Sequence, residues 1–88
     1  MNAKHRRTLA AIFANPVSGG IRWHDIEALF TALGAKIQER EGARVSVVLK
    51  SVPAVYHRPH PRPEVRKAVV RAVREQLVKA GCGPEEEP

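Results

Sequence analysis

Residues 34–58 read GAKIQEREGARVSVVLKSVPAVYHR, and how this stretch is read decides the fold. Ahead of Gly34 the apolar residues recur at helical spacing; behind it the period drops to two. In Arg44–Lys50, Val45, Val47 and Leu49 alternate with Arg44, Ser46, Val48 and Lys50. That alternation fits a strand with one face buried and the other in solvent. AKIQER, ARVSVVLK and AVYHR are three short stretches of β-branched or aromatic character, with Gly42 in the first junction and Ser51 to Pro53 in the second. Junctions this short join antiparallel neighbours, so the expectation is a three-stranded meander.

Helices flank the meander. Upstream, WHDIEALFTALG places Trp23, Ile26, Phe30 and Leu33 on one face with Leu29 beside them, and Gly34 supplies a left-handed C-terminal position. Further upstream, Leu9, Ile12 and Phe13 share a face of a short helix expected over about 3–14, stopped by Asn15-Pro16, with the VSGG turn after it. Downstream of HPRP, a third helix is expected from about Pro63, a favoured first helical residue, to Ala80, with Gly81 ending it. Its core stripe reads Val65, Val69, Ala72, Val73, Leu77 and Ala80. Another face carries Lys67, Arg71 and Arg74, with Arg66 alongside. The fold class is therefore α+β in the order α-α-β-β-β-α, with helices packed on one face of a small antiparallel sheet. Residues 1–83 are expected to form a single domain, and 84–88 a disordered acidic tail.

Bulk properties narrow the function. A chain of 88 residues has room for one small core, and its 43% apolar content is enough to build it. One cysteine, Cys82, allows no internal disulfide; with no leader segment recognised, a cytoplasmic location is expected. No apolar run approaches the roughly 18 residues of a membrane span. Fifteen Lys and Arg against nine Asp and Glu give a net charge of +6, and three of the acids stand together at Glu85 to Glu87. A small basic domain of this kind points to a polyanionic partner, nucleic acid first. Few aromatics are present, and Phe13, Trp23 and Phe30 fit the core; Tyr56 alone is expected to be available for display. Contacts should then run mainly from Arg and Lys to phosphate.

Motifs for phosphate loops, metal-binding cysteine pairs and serine nucleophile elbows are absent. Cys82 is expected to be an incidental surface thiol. His5 belongs with the basic first turn of the first helix, and His24 should be exposed in the first turn of the second. The remaining candidate is YHRPHP, residues 56–61, where His57 and His60 share a corner with Arg58 and Arg62. An imidazole can take a proton from a ribose 2′-OH or return one to a leaving 5′-oxygen. Neighbouring arginines can hold the phosphate and stabilise a pentacoordinate transition state. The same residues can dock a phosphate without cutting it, or simply turn the chain. Taken alone, the motif favours phosphate binding ahead of catalysis. A metal site lacks a third ligand nearby, and no cofactor is expected.

The helix ending in LG, the Gly-bounded hairpin EREGARVSVVL, the strand reaching AVYHRPHP and the final helix VRKAVVRAVREQLVKAG together resemble the HicA family of bacterial toxins over about residues 22–81. The N-terminal helix looks like a subgroup feature. The resemblance implies a double-stranded-RNA-binding-domain-like fold, an mRNA-cleaving ribonuclease of a type II toxin-antitoxin system acting in stress response, and neutralisation by a HicB-like antitoxin. The family's usual Gly-Ser-His, with the catalytic histidine at the start of the second strand, reads Gly42-Ala43-Arg44 here. Arginine stays protonated at neutral pH and cannot act as a base. Either catalysis has moved to His57 and His60, with Arg44, Arg58, Arg62, Lys67, Arg71 and Arg74 contacting RNA phosphates, or the protein is a non-catalytic RNA- or DNA-binding module. A third reading is a structural subunit whose basic surface docks an acidic protein.

Overall fold

The computed structural model describes residues 1–84. Helix α1 spans Ala3–Ile12, α2 spans Trp23–Ala32, and β1 (Lys36–Glu39), β2 (Arg44–Leu49) and β3 (Val52–His57) follow, before α3 at Lys67–Lys79. The chain is thus α+β in the order α-α-β-β-β-α, with an antiparallel sheet ordered β1-β2-β3. It carries the arrangement expected of a double-stranded-RNA-binding-domain-like fold. The acidic end of the expected tail, 85–88, lies outside the described residues. No helix among those described is long and apolar enough to cross a membrane.

Local chemistry sets the boundaries. Asn2 caps α1: its side chain accepts from the His5 backbone N–H at 2.9 Å, while His5 Nδ1 accepts from the Asn2 N–H at 3.4 Å. His5 is therefore a half-buried capping partner. Gly34 closes α2 with φ of +89°, which lets the chain turn directly into β1. The β2–β3 turn is tighter than expected. Lys50 and Ser51 both take positive φ, 47° and 69°, and Val52 and Pro53 already belong to β3. Pro53 is tolerated because β3 is an edge strand.

The inward face of the sheet packs Val45, Val47, Leu49 and Tyr56 against Trp23, Ile26, Leu29 and Phe30 of α2 and Val70, Val73 and Leu77 of α3. The other face leaves Arg44, Val48, Val55 and His57 exposed. Ser46 is also on that face, yet it is only 7% exposed. It sits on the central strand, with Gln38 and Val55 as its register partners on either side.

Three expectations need correction. First, α3 begins at Lys67, not Pro63. Residues 63–65 are taken up by an antiparallel bridge, Arg22 to Glu64, in which Trp23 N–H donates to Pro63 O at 3.0 Å and Val65 N–H to Ile21 O at 2.9 Å. This pairing satisfies the first donor of α2 and keeps 63–65 extended, overriding proline's preference for a helix start. Second, the buried face is shifted at its margin: Val65, Val73 and Leu77 are buried and Val69 and Ala80 packed against the core as expected, but Val70 and Gln76 join them, whereas Ala72 is exposed. Third, Tyr56 is not displayed. It is 4% exposed, packs on Trp23 with ring centroids 5.4 Å apart, and donates its O–H to Gln76 Oε1 at 2.6 Å. Gln76 Nε2 in turn donates to Val47 O and Val52 O at 2.9 and 3.0 Å, so the buried amide satisfies both strands at the base of the hairpin.

Candidate active site

Where β3 runs out, the chain leaves the sheet through Arg58 and a proline-rich loop, and this loop shapes the site. His57 is the last residue of β3 and is exposed. Its register partner on β2 is Arg44. One step outward, Arg58 N–H donates to Ala43 O at 2.8 Å, so Arg44 and His57 form the next, non-hydrogen-bonded pair. Side chains of such a pair lie on the same face with Cβ atoms about 5 Å apart. Arg44 is thus set beside His57 on the open sheet face. Its Nε also donates to Glu41 O at 3.3 Å, which holds it near the β1–β2 turn.

From His57 the loop curls around an open cleft of about 400 Å³. His57, His60, Arg62 and Arg66 line it together with Glu64. Both histidines and Arg62, chosen from sequence, therefore meet at one cavity. Arg66, noted only as flanking the basic helical face, joins them because the helix starts late and leaves it at the cap. Glu64 gives the cleft one acid among its cations.

Arg58 also forms part of the wall, yet its guanidinium is engaged. Nη2 and Nε donate to the two oxygens of Glu27 at 2.8 and 3.4 Å, and Nη1 donates to Glu39 at 2.7 Å. These carboxylates, Glu27 first, push its already high pKa further up, so the charge is permanent and locally balanced. Arg74 is likewise engaged: it donates to the carbonyls of Ile12 and Ala14 at the end of α1 and lies over the Phe13 ring, 5.9 Å from its centroid. The Ile12 carbonyl is one of the acceptors a helix terminus leaves over, and Ala14 lies just past the cap at Phe13. Lys67 and Arg71 are exposed on the first turns of α3, outside the cleft lining. The partners of Arg58 were not legible in sequence, since Glu27 lies 31 residues away with no local pattern linking them.

His24 is exposed, as its place in the first turn suggests. Cys82 is half-buried, packed against the core edge, rather than a surface thiol. Among the described residues, no three His, Cys, Asp or Glu side chains cluster as a metal ligand set.

The site thus offers two imidazoles in an open, cationic cleft, with a strand-borne arginine beside one of them. That set can bind a phosphodiester and can move protons at it. A family model described as HicA toxin of bacterial toxin-antitoxin matches residues 23–81, about two thirds of the chain. The match starts at α2 and ends at the glycine after α3, leaving α1 outside it. No curated protein and no solved structure matches.

Proposed function

Because the chain belongs to the HicA toxin family of bacterial toxin-antitoxin systems, we propose that it is a metal-independent endoribonuclease. It cleaves mRNA in the cytoplasm, inhibits translation, and is neutralised by a HicB-like antitoxin. The observation that carries this reading is the placement of His57, exposed at the end of β3, opposite Arg44 and at the rim of the cleft that holds His60 and Arg62.

His57 takes the proton from a ribose 2′-OH, and the 2′-oxygen attacks the adjacent phosphorus. The bond from phosphorus to the 5′-oxygen breaks, and His60 gives that oxygen a proton. The products are a 2′,3′-cyclic phosphate and a 5′-hydroxyl. His57 is the base because the end of a paired strand holds its geometry more tightly than a loop does. Arg44 and Arg62 donate to the non-bridging oxygens as charge builds on them. Lys67 and Arg71 extend the positive surface along α3 for flanking phosphates. Arg58, balanced by two carboxylates, anchors the strand end more than it clamps phosphate, and Arg74 anchors α1.

Incubating the protein with RNA in EDTA, beside His57→Ala and His60→Ala, tests this. Each variant should lose roughly 10²- to 10⁴-fold in rate. Unchanged cleavage by both would remove the histidines from the mechanism. Arg44 at the family's histidine position favours a second reading, a non-catalytic RNA- or DNA-binding module. It requires intact RNA after long incubation and binding that falls steeply with salt.

A further inference from the structure

Residues 1–22 precede the segment matched by the family model, yet they are built into the fold. Ile12 is fully buried, and Arg74 holds the carbonyls of Ile12 and Ala14. Between α1 and the turn into α2 these residues form a second open cleft of about 350 Å³. Lys4, Arg7 and Arg22 converge on it, together with Ser18 and the Gly19-Gly20 backbone. Its one acid, Asp25, is paired with Lys4 at 3.4 Å. Arg7 and Arg22 are exposed, and among the described residues neither makes an ion pair. The cleft therefore carries two guanidinium groups with no close carboxylate among the described residues, although Glu64 stands across the short bridge from Arg22.

Gly19 adds an independent observation. Gly20 has φ of +78° and needs glycine for that reason, whereas Gly19 lies outside the left-handed region. A side chain at Gly19 would meet nothing within 4 Å. Neither packing nor backbone conformation requires a glycine there, and its bare backbone leaves the cleft accessible to close approach by an anion.

The two clefts are neighbours. Arg22 lines the first and Glu64 the histidine cleft, and these residues are partners across the short bridge described above. One strand spacing, about 4.8 Å, separates the backbones that border them. We infer that the N-terminal cleft is a second phosphate subsite for the same RNA strand, in which Arg7 and Arg22 hold backbone phosphates flanking the cleaved one. This rests on the ribonuclease reading. An RNA backbone suits the cleft better than an acidic protein: no aromatic side chain lines it, and its Ile21 is 7% exposed, whereas protein interfaces centre on apolar and aromatic anchors.

Fluorescence anisotropy with labelled 2′-O-methyl RNA, which lacks the attacking hydroxyl, provides the test. Two lengths are used, about four and about sixteen nucleotides, at a series of salt concentrations. For the longer RNA, the double variant Arg7→Gln, Arg22→Gln should reduce the slope of log affinity against log salt by about 1.4, or about 0.7 for each phosphate lost. The shorter RNA, which fits within the histidine cleft, should bind as before. Gly19→Glu should show the same length-selective loss, and it decides the matter alone if circular dichroism shows the arginine variant unfolded. An unchanged slope on the longer RNA, or an equal loss on both lengths, overturns the subsite while leaving the ribonuclease reading standing. Failure of the wild type to bind either RNA overturns both.

Discussion

Arg58 is forked onto Glu27: Nη2 reaches one carboxylate oxygen at 2.8 Å and Nε the other at 3.4 Å, while Nη1 turns to Glu39 at 2.7 Å. A single side chain, one residue beyond His57, thereby ties the end of β3 to both α2 and β1.

Releasing that tether should be felt in stability and in rate. Arg58→Ala is expected to cost about 1 kcal/mol, the contact being discounted because the guanidinium is partly open to solvent. For a domain of this size that lowers Tm by about 4–8 °C in a thermal melt. Cleavage should fall as well, because His57 loses its fixed position. Arg58→Lys keeps the charge but not the fork, so it should recover only part of either loss. A wild-type Tm for Arg58→Ala would show that the contacts hold nothing in place.

Arg44 and His57 face one another across β2 and β3, so a base should be transferable between the two strands. Arg44→Ala alone is expected to lower the rate by roughly 10²- to 10³-fold through lost transition-state stabilisation. In a His57→Ala background, adding Arg44→His should restore measurable cleavage, because the new imidazole stands on the same face about 5 Å away. A double variant no faster than His57→Ala would show that position 44 cannot serve as the base in this chain.

Gln76 is 3% exposed and satisfies three polar groups at once. Gln76→Ala removes the amide's bonds to the Val47 and Val52 carbonyls and leaves the buried Tyr56 hydroxyl only the longer contact to Ala72 O at 3.5 Å. The expected loss is about 2–4 kcal/mol, read as a lower urea midpoint. Gln76→Glu should be no better, since a carboxylate presents acceptors to two carbonyls. A midpoint within error of wild type for Gln76→Ala would mean that the core relaxes to pair these groups otherwise.

The pH dependence of stability should carry a signature of Tyr56, the one tyrosine. Burial, and then the nearby Glu75 charge, push its phenol well above the ordinary value of 10. The folded state therefore keeps the proton after the unfolded chain has released it. The contribution is fully present below about pH 10 and is lost as pH rises beyond that value toward the folded pKa. A phenolate absorbance titration should show no ionisation near pH 10 while the protein remains folded, then a step coincident with unfolding. Smooth ionisation near pH 10 in the folded protein would contradict the burial.

Much of the architecture was legible because it rests on short-range signals. The change of period at Gly34 separates helix from sheet, and Gly34 and Gly81 end helices where the chain needs positive φ. The misread start of α3 shows the limit of such signals. Pro63 has the local credentials of a first helical residue, but the bridge from Arg22 to Glu64 claims its neighbourhood. That pairing joins residues about forty positions apart, and no window of local periodicity contains both.

The candidate site divides along the same line. Composition and motif by themselves determined that this is a small basic α+β domain with a histidine-bearing corner after its third strand. Only the tertiary structure decided how each cation is engaged. Arg44, with one local bond to Glu41 O, and Arg62 are exposed, whereas Arg58 and Arg74 are engaged by acceptors on other elements. It also decided that Tyr56 is interior and that the N-terminal helix adds a second cationic cleft. The physical reason is that charge is a property of a residue, while its availability depends on what the fold places beside it. A guanidinium two or three ångströms from a carboxylate or a helix-end carbonyl has found its partner within the chain.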